Sequence, residues 1–185
     1  MRIIAGSAKR RQLKAPKGWN GRPTADRVKE SLFNILGDLV VDSNFLDLFA
    51  GTGNIGMEAL SRGARRVVFI ENDSRAAKAM VNTIHDFGLE VGSSVIEKDV
   101  YHALDSLGRD NSIGFDIVFL DPPYGLGFEV PVIQKIAELQ LMAPGGIIIA
   151  ESSKREDLPS EITGFPLIRQ SRYGDTLLSF YQQKG

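Results

Sequence analysis

The chain has 185 residues, 43% of them hydrophobic and 24% charged, with a formal net charge of −1. Those values describe one globular domain able to bury a real core, and they exclude wholesale disorder. Cysteine is absent, which excludes disulfides, zinc–cysteine sites, thiol nucleophiles and any methylation at C5 of a pyrimidine that runs through a thiol adduct.

No apolar run approaches the length of a membrane span. Met1-Arg2-Ile3-Ile4-Ala5-Gly6 lacks the charged-then-apolar layout of a signal peptide, so a cytoplasmic location is expected. The two histidines, His85 and His102, cannot form a metal cluster unaided. Both are expected as ordinary helix residues, and no metal is expected. Charge is unevenly spread. Residues 1–29 carry nine basic groups against Asp26 alone, a balance of +8, and the other 156 carry 13 basic and 22 acidic groups, a balance of −9. A basic end on an acidic body suggests a polyanion docked at that end.

In chain order, residues 2–5 and 10–14 alternate well enough for two short strands, with Gly6 to Lys9 turning between them. Pro16, Gly18 and Gly21 close this basic hairpin. Arg2, Lys9, Arg10, Arg11 and Lys14 are candidate phosphate contacts, the plainer reading being a solvated edge. Thr24 is expected to cap a helix with Asp26 in its first turn. Val28, Leu32, Ile35, Leu36 and Leu39 form its inward stripe and Gly37 ends it. Arg22 and Arg27, at or before that helix start, are candidates to face an anion; surface arginines are the equal alternative.

Asn44 to Leu48 reads as an apolar strand entering the turn Phe49-Ala50-Gly51-Thr52-Gly53-Asn54-Ile55-Gly56, and a helix with Met57, Ala59 and Leu60 leaves it. Glycines allow close approach to a ligand, and the helix start offers free N–H groups. A second strand, Arg66 to Glu71, ends in an acid 20 residues after Gly51, which suits two ribose hydroxyls. A helix follows with Ala76, Ala77, Met80, Ile84 and Phe87 inward and Gly88 as its stop. Ser94 to Asp99 reads as a third strand whose terminal acid either accepts an adenine amine or simply starts a helix.

Phe115 to Leu120 is a fourth, buried strand that runs into Asp121-Pro122-Pro123-Tyr124. Two prolines stiffen that loop and remove donors. A carboxylate, free carbonyls and a flat ring suit the exocyclic amine of a nucleobase, while a strand-ending turn with a buried tyrosine is the plainer alternative. Val132, Ile133, Ile136 and Leu139 mark another helix, Gly146 to Glu151 a fifth strand, and residues 165–170 and 176–181 a terminal hairpin. Strands separated by helices imply a parallel sheet covered on both faces.

A nicotinamide-dependent oxidoreductase would account for the glycines and Glu71, but not for Asp47, the Asp121 loop or the basic arm. S-adenosylmethionine accounts for all of them. The glycine loop, through Phe49, Gly51 and Gly53, meets the methionine part. Asp47 reaches the amino group, Glu71 the ribose and Asp99 the adenine. Asp121 lies at the same carboxyl edge of the sheet, where open α/β sheets bind ligands.

Phe49-Ala50-Gly51-Thr52-Gly53 together with Asp121-Pro122-Pro123-Tyr124 resembles an amino-methyltransferase of the class I fold. Arg2-Ile3-Ile4-Ala5-Gly6 and the run from Arg22-Pro23-Thr24 to Phe33-Asn34 narrow the resemblance to the bacterial RsmD family. The resemblance covers nearly the whole chain. It implies an α/β fold, a Rossmann-like, mostly parallel seven-stranded sheet with a C-terminal antiparallel hairpin, plus the short N-terminal basic β-hairpin. All of it would form a single domain: arm 1–20, first helix region 22–37 and catalytic core 44–185. It implies an enzyme that methylates N2 of a guanine, usually called guanine 966, in 16S ribosomal RNA, either naked or within an assembling small subunit. A monomer is expected. D-P-P-Y alone is shared with adenine-N6 enzymes, so adenine N6 in RNA or DNA is the alternative, and a non-catalytic RNA-binding module a weaker one.

On that resemblance a guanine turns out of its RNA context into the pocket. Tyr124 stacks on it, worth about 1–3 kcal/mol. Asp121 and the Pro122 carbonyl accept from the N2 amine and favour the pyramidal form that frees its lone pair. Holding amine and methyl in line supplies roughly 7–11 kcal/mol of the barrier.

Overall fold

A computed structural model describes residues 1–15, 24–110 and 114–183. Five helices and eight strands occur among them: α1 Asp26–Leu36, β1 Asn44–Leu48, α2 Asn54–Ser61, β2 Arg66–Glu71, α3 Ser74–Phe87, β3 Ser93–Glu97, α4 Val100–Asp110, β4 Phe115–Leu120, α5 Glu129–Glu138, β5 Met142–Ser153, β6 Glu161–Ile162, β7 Phe165–Tyr173 and β8 Thr176–Gln182. They build one sheet in the order β3-β2-β1-β4-β5-β8-β7-β6. Strands β1 to β5 are parallel, and β8, β7 and β6 are antiparallel to their neighbours. The expected class I architecture is present. Its sheet has eight strands rather than seven because the two-residue β6 pairs with the start of β7.

The central strands are apolar at almost every position because both faces of the sheet are covered. Alternate residues enter separate cores. Phe45, Val67, Phe69, Ile117, Phe119 and Ile149 pack on the α1–α2–α3 side, while Leu46, Leu48, Val68, Ile70, Val118 and Leu120 pack on the α4–α5 side. Asp47 is the one acid inside β1, on the α2 side, and it is 2% exposed. The order of strands reverses between β1 and β4, and the loops after these two strands diverge there to open a cavity.

Four local expectations change. The N-terminal hairpin has a single antiparallel bridge, Arg2–Gln12, in place of two strands. Ile3, Arg10 and Leu13 donate across the hairpin, but the Ile4 and Ala5 amides bind the Glu58 carboxylate at 2.7 and 3.0 Å and the Ser7 and Ala8 amides bind Ser61, so the ladder does not extend. Leu39 is 61% exposed and Val40 is buried in its place, because a 3-10 turn at Gly37–Val40 re-aims the chain after α1. β3 stops at Glu97, leaving Asp99 at the start of α4. β5 begins at Met142, before the Pro144-Gly145 turn, and takes a register shift against β4 there. His85 and His102 are helix residues, on α3 and α4.

Candidate functional site

A cavity of about 700 Å³ lies over the carboxyl ends of β1, β2 and β4. Its walls bring together most of the residues singled out for the cofactor and the acceptor: Asp47, Phe49, Gly51, Glu71, Asp99, Asp121, Pro122 and Tyr124.

The floor is the turn from β1 into α2. Gly53 takes a left-handed φ of 75° at the helix start, a conformation that costs other residues energy. A Cβ on Gly56 would stand 2.2 Å from the Phe69 ring, so α2 can approach β2 only with glycine there. Phe49 itself is left-handed, with φ 61°. Its ring lies 5.4 Å from Phe128, which lies 6.4 Å from Tyr101, giving the cavity an apolar aromatic wall.

Two acids bracket that turn. Asp47 Oδ2 accepts from the Gly56 amide at 2.9 Å. Burial pushes the Asp47 carboxyl up to about 7, against the Gly56 hydrogen bond and with help from the charge of Glu71. Glu71 accepts from the amides of Gly51 at 2.7 Å and Asp73 at 2.8 Å. Each carboxylate oxygen retains a second lone pair for a ligand hydroxyl. Asp99 lines the cavity, and its Oδ1 accepts from the Tyr101 and His102 amides at 2.9 and 3.2 Å, in the manner of a helix cap. Its other oxygen meets His102 Nδ1, which holds its carboxyl below the usual range. Asp99 is thus a helix-start acid that also faces the cavity.

The opposite wall is the D-P-P-Y loop. The Asp121 amide donates to the Leu48 carbonyl at 3.5 Å, tying this loop to the end of β1. Thr24 does not cap α1: the helix starts after Ala25 with no side-chain cap, and Thr24 Oγ1 donates to Asp121 Oδ2 at 3.1 Å. Thr24 therefore joins the wall formed by the D-P-P-Y loop. Tyr124 Oη donates to Glu151 Oε1 at 3.2 Å and lies 3.3 Å from Thr176 Oγ1, which anchors the hydroxyl end of its ring. Sequence reasoning missed Glu151, Thr176 and the Phe128–Tyr101 wall. Glu151 ends the predicted fifth strand at the same sheet edge, and an acid at that place was the available signal.

The basic residues divide. Arg2, Lys9, Arg10, Lys14 and Arg27 are exposed, and Arg2 lies 3.5 Å from Asp26. Arg11 donates to the Asp86 carbonyl at 2.6 Å and covers the Phe87 ring, so it is anchored on the end of α3. Arg22 lies outside the described residues. Lys29 leaves the surface charge altogether. It is buried, and its Nζ donates to the Arg2 carbonyl at 2.5 Å, Asn54 Oδ1 at 2.7 Å and Glu58 Oε2 at 3.2 Å. Burial lowers its pKa and Glu58 opposes that shift. Glu58 also binds Arg62 Nε at 2.8 Å, so one buried acid joins the N-terminal segment, α1 and α2. Among the described residues no group of three or more His, Cys, Asp or Glu is placed to hold a metal ion, and no helix is long and apolar enough to cross a membrane.

The family profile "Conserved hypothetical protein 95" matches residues 1–182. The Bacillus subtilis protein YlbH is 36% identical over 185 residues, covering all of both chains. Ribosomal RNA small subunit methyltransferase D of Haemophilus influenzae is 35% identical over 183 residues, covering 98% of this chain and 93% of its own. The solved structure of Escherichia coli yhhF superposes with a TM-score of 0.87 at 32% identity, covering 100% of this chain and 98% of that one.

Proposed function

The chain belongs to the RsmD family, and from that premise we propose that it methylates ribosomal RNA with S-adenosylmethionine, at the exocyclic N2 amine of a guanine in 16S RNA. The observation that carries this reading is the meeting of the glycine turn of β1 and the D-P-P-Y loop of β4 in one cavity of about 700 Å³. The donor set fits the cofactor. Asp47 suits the ammonium, Glu71 the ribose diol, and the Phe49–Phe128–Tyr101 wall a planar adenine.

The bound cofactor supplies an electrophilic methyl group, so the protein needs little base strength. Asp121 accepts from the amine hydrogens and, with the Pro122 carbonyl, favours the pyramidal nitrogen. The Thr24 hydroxyl, 3.1 Å away, fixes the rotamer of that carboxylate. Tyr124, held through its hydroxyl by Glu151 and Thr176, presents its ring for stacking. Orientation by these side chains is the main source of rate. Arg2 and Arg27, exposed beside α1, meet RNA phosphates, and Lys9, Arg10 and Lys14 extend that contact.

The test is nucleoside mass spectrometry of 16S RNA from cells with and without the gene, followed by transfer of labelled methyl groups to unmodified RNA in vitro. Loss and restoration of one N2-methylguanosine is expected. Loss of N6-methyladenosine would redirect the reading to adenine. No change in any nucleoside would overturn it.

A further inference from the structure

Asn54 stands in the cavity wall, and Lys29 decides which way its amide is turned. Asn54 opens α2, directly after the glycine turn; it is 5% exposed and lines the cavity. Its Oδ1 receives Lys29 Nζ at 2.7 Å. A lysine ammonium has three hydrogens and no acceptor. All three are assigned, to the Arg2 carbonyl, Glu58 and Asn54, at 2.5, 3.2 and 2.7 Å. The amide oxygen must therefore face Lys29 and the NH₂ must face away from it, which removes the usual ambiguity of an asparagine flip. That NH₂ is buried and has no hydrogen-bond partner among the described residues. A buried donor left unmade costs roughly 1–3 kcal/mol, so such an atom calls for an acceptor.

The surroundings of this donor favour an anionic acceptor. Nδ2 sits at the N-terminal end of an eight-residue helix, where backbone N–H groups and the helix dipole favour negative charge. The buried Lys29 ammonium lies one hydrogen bond behind it. Asp47, in β1 just before the turn, accepts from the Gly56 amide rather than from this donor.

We propose that Asn54 Nδ2 donates to the α-carboxylate of the cofactor's methionine moiety, and that Lys29 positions it by holding its oxygen. This rests on the cofactor reading above and deepens it. The zwitterionic end of the ligand is then read by two residues seven positions apart: Asp47 takes the ammonium and Asn54 the carboxylate.

The experiment is calorimetry with S-adenosylhomocysteine and with decarboxylated S-adenosylmethionine, which keeps the ammonium, ribose and adenine but lacks the carboxylate. Asn54→Ala should weaken S-adenosylhomocysteine roughly tenfold, the loss of one charge-assisted hydrogen bond. Binding of the decarboxylated compound should be unchanged. Asn54→Ser, which keeps a donor, should recover part of the loss. Equal weakening of both ligands would assign Asn54 to loop structure alone and overturn the proposal, as would unchanged affinity for S-adenosylhomocysteine. Wild-type protein that binds neither compound would overturn the cofactor reading, and this assignment with it.

Discussion

The protonation of Asp47 gives the sharpest quantitative test. Its carboxyl rises from an ordinary 3.8 to about 7, chiefly by burial. One pH unit either side of that value changes the ionised fraction from about one-tenth to nine-tenths. An ammonium ligand binds the ionised form. Affinity for S-adenosylhomocysteine should therefore tighten about tenfold between pH 6 and pH 8, and at pH 6 close to one proton should leave on binding. Calorimetry in two buffers of different ionisation enthalpy measures both quantities. The same group acts on stability in the opposite sense. A carboxyl raised in the fold contributes stability that is full below its unfolded pKa and is lost as pH rises through about 7. The ligand-free protein should therefore melt at lower temperature at pH 8 than at pH 5, and Asp47→Asn should flatten both trends. A flat affinity profile without proton release, or the same profile in Asp47→Asn, would refute the role given to this acid.

Asp121→Ala should nearly abolish methyl transfer while S-adenosylhomocysteine still binds; an active variant would remove Asp121 from the chemistry. Thr24→Val keeps shape but deletes the 3.1 Å donation to Asp121. It should lower kcat by about ten- to a hundredfold with KM for the cofactor unchanged, since a hydrogen bond to a charged group is worth about 1.5–3 kcal/mol, and an unaltered kcat would make the contact incidental. Glu58→Gln should destabilise the fold by about 3–5 kcal/mol by leaving buried Lys29 unmatched, read by denaturant unfolding and by faster hydrogen exchange at Ile4 and Ala5. Replacing Arg2 and Arg27 with alanine should reduce the salt slope of RNA binding by about 1 to 2, and an unchanged slope would take the phosphate role away from them.

Much of the frame was legible because it is local. The apolar run of β1, the glycines of its turn and the acid ending β2 lie within 28 residues, and each carries its own reason to be there. What stayed hidden joins distant segments. Thr24 reads as a helix cap because nothing near it shows that its hydroxyl reaches a carboxylate 97 positions later. Lys29 reads as one more surface charge because its partners, Glu58 and Asn54, lie on another helix. Asp99 supports both readings even in the fold, since a carboxylate that caps α4 can still face the cavity. The N-terminal pairing failed as a pair of strands for a related reason: the Ile4 and Ala5 amides are claimed by Glu58 of α2, which the alternation of residues 2–5 and 10–14 cannot reveal.

The Thr24–Asp121 contact also bears on how the molecule assembles. The glycine turn forms within a short stretch, whereas the acceptor corner needs Thr24 beside Asp121 and Ser31 beside Tyr173, pairs separated by 97 and 142 residues. Contacts of such long sequence separation carry the largest loop-closure cost and form late. A chain that has completed β1 to β3 can thus hold its cofactor turn while the acceptor corner is still open. Detachment of α1 from a folded sheet would open the acceptor corner and, by withdrawing Lys29 from Asn54, would loosen the glycine turn as well.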